Sequence, residues 1–294
     1  MDMRGRTVVV TGASNGLGLA SSVALARAGA DVVLAVRDEA RGAAAVATVQ
    51  EAAPDAHLRT VRLDLADLAS VERCADELQG SLSSVDVLLN NAGVMMPPSR
   101  RVTSDGFELQ MGTNHLGHYA LTGRLLPLLL ATAGSRVVTV ASLAARGGRV
   151  DLDDLMAERS YSPSPRYGAS KLANLLFTLE LQRRLVSARA ATIAVAAHPG
   201  ISATNLMSSM EVPGVVSRVA RLLMQSPEVG ARPQLHAATA DGVQGGDYFG
   251  PKGLAEARGR RVAHATFPPA ALVTADAAAL WTRSQELTGV TYPL

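Results

Sequence analysis

The chain alternates short β-branched runs with longer Ala/Leu-rich stretches, and no other feature restricts its fold as strongly. The runs are Thr7–Thr11, Asp31–Val36, Leu58–Leu63, Val85–Asn90, Arg136–Ala141 and Thr192–His198. They are continuous apolar runs rather than the in–out alternation of a half-exposed strand. Such runs fit strands covered by helices on both faces. The stretches Gly16–Ala28, Glu39–Ala52, Leu68–Leu78, Gly106–Ala131 and Arg166–Ser187 read as helices. Repeated strand–helix–strand order predicts an α/β fold, a doubly wound parallel sheet with helices on both faces. Right-handed crossovers then gather the loops after the strands on one rim.

The 294 residues read as a single domain, because no Gly/Ser-rich linker or internal repeat divides them. Apolar residues at 48% against 18% charged exclude a disordered chain. The net charge of +2 leaves no nucleic-acid footprint. Cys74 is alone, so no intrachain disulfide forms and a reducing compartment is expected. It reads as helix core, and nothing nearby would activate it as a reactive thiol. No signal peptide is expected before the first run. Leu125–Leu130 is interrupted by Pro127 and falls far short of the roughly 20 apolar residues that a membrane span needs. The expectation is a cytoplasmic protein. After His198 the pattern changes: residues 201–225 are rich in Met and Ser and read as a substrate lid. Ser226-Pro227-Glu228 reads as a helix start, Asp247–Gly250 as one more strand, and Ala275–Leu287 as a final helix.

The first run leads into Thr11-Gly12-Ala13-Ser14-Asn15-Gly16-Leu17-Gly18 and then a helix. Glycines allow a tight turn and close approach of backbone to a pyrophosphate, and the helix N-terminus adds N–H groups and partial positive charge. The position after the first strand of a β-α-β unit is what raises this above an ordinary loop. The second run ends Val36-Arg37-Asp38, the point that faces the adenosine ribose in such sites. An acidic residue there would accept from a free 2′-hydroxyl. Arg37 can instead pair with a 2′-phosphate, so NADP(H) is preferred over NAD(H). The competing readings are a surface arginine, and Asp38 either as ribose acceptor or as cap of the next helix.

Tyr167-Gly168-Ala169-Ser170-Lys171 opens a long helix. A spacing of four sets the phenol and the ammonium on one helical face. A nearby ammonium favours phenolate and lowers a tyrosine pKa from about 10. The chain has only two lysines, Lys171 and Lys252, and one falls here.

These pieces together resemble the short-chain dehydrogenase/reductase family. The matching residues are Thr11-Gly12-x3-Gly16-x-Gly18, Asp64, Asn90-Asn91-Ala92-Gly93, Asn114, Ser142, Tyr167-x3-Lys171 and Pro199-Gly200, in the family's order. Thr113 to Tyr119, Lys171 to Phe177 and the ending Glu286 to Val290 are similar to a bacterial branch, retinol-dehydrogenase-like and protochlorophyllide-reductase-like. The resemblance implies a Rossmann-type fold and hydride transfer between NADP(H) and a carbonyl or alcohol group.

The resemblance also implies roles. Tyr167 exchanges a proton with the substrate oxygen, Ser142 hydrogen-bonds that oxygen, Lys171 holds the nicotinamide ribose and lowers the tyrosine pKa, and Asn114 holds a relay water. Gly12, Ser14, Asn15, Gly16 and Leu17 would hold the pyrophosphate and ribose, with Arg37 on the 2′-phosphate. Asp64 and Leu65 would meet adenine, Asn90 and Ala92 the adenosine ribose side, and Pro199, Gly200, Ile201 and Thr204 the nicotinamide. Asn91 and Gly93 read equally as structural ties. NADP-preferring members often carry a basic residue where this chain has Asn15, so Arg37 carries the preference alone.

Other features have plainer readings. His115 and His118 lack ligand-spaced partners, so no metal is expected. Met95, Met96, Met207, Met210 and Met224 read either as an adaptable pocket for a bulky apolar small molecule or as packing. Arg146 and Arg149 read as surface. The helices Gly106–Ala131 and Arg166–Ser187 are expected to form a face for a homodimer or homotetramer. Two competing functions are an NADP(H)-binding regulator without turnover and a non-redox epimerase or dehydratase on the same fold.

Overall fold

The computed structural model describes residues 1–201 and 225–294. Thr204, Met207, Met210, Met224 and all of the expected lid except its two ends lie outside the described residues.

The described residues form one eight-stranded sheet. Its strands are β1 (Thr7–Thr11), β2 (Asp31–Val36), β3 (Leu58–Arg62), β4 (Val87–Asn90), β5 (Arg136–Val140), β6 (Ile193–Ala197), β7 (Tyr248–Pro251) and β8 (Val262–His264). Their order across the sheet is β3-β2-β1-β4-β5-β6-β7-β8. All neighbouring pairs are parallel except β7 with the short β8, which the apolar pattern did not reveal. The order reverses between β1 and β4. A ligand crevice is expected outside the carboxyl ends of those strands.

The helices follow from capping and burial. Helix α1 (Gly16–Arg27) lies behind the glycine turn. Helix α2 (Glu39–Ala52) is capped by Asp38, whose side chain accepts from Arg41 N, and α3 (Leu68–Ser81) by Asp67, which accepts from Ala69 N. Val8, Val9 and Val10 are fully buried, and each such side chain contributes roughly 1.5–3 kcal/mol relative to exposure. The run expected as one helix from Gly106 to Ala131 is instead a short turn α4 (Leu109–Met111), a π-helical segment Gly112–Leu116 and α5 (Gly117–Leu130). The widened turn frees Asn114 to bond outside the helix. Its Oδ1 accepts from Val94 N at 2.8 Å and its Nδ2 donates to Val94 O at 3.0 Å. Helix α6 (Pro163–Ser187) begins at Pro163, three residues earlier than read from sequence, because two prolines preset its first turn.

The faces of α5 and α6 expected to dimerise are covered by the chain itself. The C-terminal helix Thr274–Thr288 and the tail beyond it lie across them. Trp281 stacks on Phe177 of α6, and the Tyr292 hydroxyl donates to the carbonyl of Tyr119 in α5 at 2.7 Å. His115 bonds Ser284 at 2.8 Å. These contacts bury part of that face within the chain itself. No helix among the described residues is long and apolar enough to cross a membrane.

Candidate active site

A cavity of ≈ 1010 Å³ opens where the strand order reverses. Its first wall is the glycine turn. Gly12 has φ +66, and a side chain there would press on Ala92. A side chain at Gly18 would collide with the Gly12 carbonyl, so the third glycine lets helix α1 close against the turn. Thr11 ties this turn to the end of β4: its Oγ1 accepts from Asn91 N and Ala92 N, while its carbonyl accepts from Asn91 Nδ2 at 2.8 Å. Asn91 is thus a structural tie. Gly12, Ser14, Asn15, Gly16 and Leu17 all line the cavity.

Arg37 and Asp38 line the adjoining wall, and so does Arg41. The carboxylate of Asp38 is engaged as the α2 cap, accepting from Arg41 N at 2.9 Å. Arg41 escaped the sequence reading. It stands in the first turn of α2, which starts directly after the Arg37-Asp38 strand end. Asp64 and Leu65 continue the wall, with Asp64 Oδ1 accepting from Ala66 N.

Ser142, Tyr167 and Lys171 meet at the other end, with Ala92, Pro199, Gly200 and Ile201. Ser142 caps the 3-10 turn Leu143–Gly147 that follows β5, accepting from Ala144 N at 3.2 Å. The Tyr167 and Ser142 side chains line the same crevice. The Lys171 ammonium lies 5.8 Å from the centroid of the Tyr167 ring and donates to the Val140 carbonyl at 3.0 Å. The expected lowering of the phenol is not what the free protein has: burial raises the Tyr167 pKa, and the nearby Ser142 side chain opposes it only in part. Burial acts on Lys171 too, lowering it to about 8.

Two predicted residues stand outside the lining. Asn90 is buried and its side chain donates to Thr122 Oγ1 at 2.9 Å. Asn114 is buried behind Gly93, with its Nδ2 also donating to Ser170 Oγ at 2.9 Å. Its main-chain carbonyl accepts from His118 Nδ1 at 3.1 Å. His118 bonds Thr11 through its other nitrogen and, like His115, is core.

The residues present fit a nicotinamide dinucleotide. A bare glycine turn and a helix N-terminus suit a pyrophosphate. Lys171 is a buried cation with no carboxylate partner among the described residues, and two of its three N–H donors remain for a ligand. An ammonium left so exposed to desolvation is costly unless something polar meets it.

A family model described as short chain dehydrogenase matches residues 6–212. The chain belongs to the short-chain dehydrogenase/reductase family. It is 41% identical to mouse retinol dehydrogenase 14 over 264 residues, covering 84% of this chain and 78% of the mouse protein. Human retinol dehydrogenase 13 is 39% identical, with 83% and 76% covered. A crystal structure of an uncharacterized protein from Mycobacterium paratuberculosis superposes with a TM-score of 0.84 at 44% identity, covering 100% and 97%. This short-chain dehydrogenase/reductase is therefore an oxidoreductase of alcohol and carbonyl groups, in the retinol-dehydrogenase-like branch.

Proposed function

We propose that this chain reduces a bulky apolar aldehyde or ketone with NADPH as hydride donor, acting as one catalytic domain in the cytoplasm. The observation that carries the reading is that Ser142, Tyr167 and the buried Lys171 line one crevice, with the Lys171 ammonium 5.8 Å from the centroid of the Tyr167 ring. A phenol raised by burial stays protonated at neutral pH, which suits a proton donor.

NADPH when bound supplies the hydride. The chain's own residues do the rest. Tyr167 gives its hydroxyl proton to the substrate oxygen. Ser142 donates to that oxygen and stabilises the charge gathering on it. The Lys171 ammonium holds ribose hydroxyls and stabilises the phenolate left behind. A water held at Asn114 returns a proton through Lys171. Gly12 through Leu17 cradle the pyrophosphate, with Asp64, Leu65 and the main chain at Asn90 and Ala92 around the adenosine, and Pro199, Gly200, Ile201 and Thr204 at the nicotinamide. Arg37 and Arg41 together face a 2′-phosphate, which favours NADP(H) over NAD(H). Met95 and Met96 line the crevice and supply deformable apolar surface. The named substrate of the relatives, retinol, is of that bulky apolar kind.

The test follows NADPH oxidation with all-trans-retinal and a panel of apolar ketones. The wild type consumes NADPH, and Tyr167→Phe binds it with unchanged Kd but turns over at least about 1000-fold more slowly, the scale of a lost general acid with its hydrogen bond. Undiminished turnover in Tyr167→Phe would sink the proposal.

A further inference from the structure

We propose that Glu256 is a positioning residue for the reaction: through Arg146 and His198 it fixes the Ser142 turn against the Pro199–Ile201 wall of the crevice. The inference rests on the reading of Ser142, Tyr167 and Lys171 given above.

Arg146 belongs to the 3-10 turn that Ser142 caps. Its side chain is part-exposed, as a surface arginine's is expected to be. Its Nη2 lies 2.7 Å from Glu256 Oε2, and its Nη1 donates to the Ala255 carbonyl at 3.1 Å. The same Glu256 oxygen meets His198 Nε2 at 3.0 Å, and Glu256 Oε1 accepts from Thr266 N at 3.0 Å. One carboxylate thus gathers three donors from three segments.

His198 passes the restraint to the crevice. Its ring is fully buried, and Nδ1 accepts from Gly200 N at 3.2 Å. The backbone N–H can only donate, so Nδ1 is the bare nitrogen and Nε2 carries the proton toward Glu256. Burial holds this imidazole neutral, with its pKa at about 4. Pro199, Gly200 and Ile201, directly after it, line the crevice.

The surroundings are shaped to this arrangement. A side chain at Gly250 would run into the His198 ring, and one at Gly200 into the Ala257 carbonyl. Ala255 and Glu256 both have positive φ, +50 and +59, which L residues adopt only where neighbours hold them. The loop also takes Ile201 N on the Ala257 carbonyl at 2.8 Å, and Gly259 N donates to Gln225 Oε1 at 2.9 Å. The Glu256 loop therefore grips the nicotinamide-end wall and the Ser142 turn together. A partly exposed ion pair adds little to stability, so the arrangement matters chiefly for geometry.

The test uses full-length Glu256→Ala, Glu256→Gln, Arg146→Ala and the Arg146→Ala/Glu256→Ala double variant, with the carbonyl substrate from the panel above that the wild type reduces fastest. Glu256→Ala and Arg146→Ala are expected to lower kcat on the order of 10- to 100-fold, the scale of a misplaced catalytic group, with NADPH Kd unchanged. Glu256→Gln, which retains an acceptor for Thr266 and His198, is expected to recover part of the loss. The double variant should fall no further than the worse single, since both break one linkage. Wild-type kcat and KM in Arg146→Ala, whose side chain is exposed enough to be removed without unfolding the chain, would overturn the inference, as would additive losses. Turnover surviving in Tyr167→Phe would instead remove the reading beneath it.

Discussion

Replacing Lys171 with methionine should stabilise the cofactor-free protein while abolishing turnover. The ammonium is buried without a carboxylate partner among the described residues, and its pKa is lowered to about 8, from an ordinary 10.5. Each pKa unit corresponds to about 1.4 kcal/mol, so keeping the charge in the folded chain costs about 3 kcal/mol at neutral pH. The substitution also deletes the hydrogen bond to the Val140 carbonyl, worth about 1 kcal/mol. That carbonyl is not orphaned, because Asn174 Nδ2 also donates to it at 3.1 Å. Met fills a similar volume with apolar atoms. The net expectation is a gain of about 1–2 kcal/mol at pH 7, read as a higher urea midpoint at unchanged slope. The gain depends on pH in a known direction. Between about 8 and 10.5 the unfolded lysine binds more proton than the folded one, so wild-type stability rises with pH while that of Lys171→Met does not. The gap is full below pH 8 and closes toward 10.5. A variant less stable than wild type at pH 7, or a gap that ignores pH, would refute the reasoning.

Three further outcomes are expected. Arg37→Asp with Arg41→Ala should raise KM for NADPH by on the order of 100-fold, as two charge-assisted contacts are lost, and should leave KM for NADH nearly unchanged; steady-state kinetics with both cofactors would show equal effects if no 2′-phosphate sits there. Tyr292→Ala should destabilise the chain by about 3–5 kcal/mol, the range for removing a buried aromatic, because its ring packs on Tyr119 and Trp281; a loss below 1 kcal/mol in urea titration would mean that the tail does not seal the helices. Cys74 is buried with its pKa pushed up to about 12, so a thiol reagent at pH 8 should label it only on unfolding; prompt labelling of the native protein would contradict that burial.

Much of the site is written locally. The Gly12-x3-Gly16-x-Gly18 turn and the Tyr167–Lys171 pair are short-range patterns, and each reports a backbone need or a helical repeat within a few residues. Their spacing is fixed by the turn and the helix. Arg37 is likewise legible as a crevice residue, standing at a strand end whose place the β-α-β order dictates. Arg41 was within reach of the same logic. Asn114 was found as a residue, yet its bonds to Val94 and Ser170 depend on a π-helical segment that no local pattern announces.

By itself the sequence determined the doubly wound sheet, the position of the crevice at the rim and that Ser142, Tyr167 and Lys171 line it, since periodicity and strand order act through neighbours along the chain. Tertiary structure alone decided which surfaces close on one another. The C-terminal helix and tail meet α6 and α5, Trp281 on Phe177 and Tyr292 on Tyr119, far along the chain, and Glu256 joins Arg146 to His198 across segments that share no pattern. Such contacts arise from burial and pairing between distant pieces. Their partners are selected by shape and charge in three dimensions, which a linear spacing does not encode.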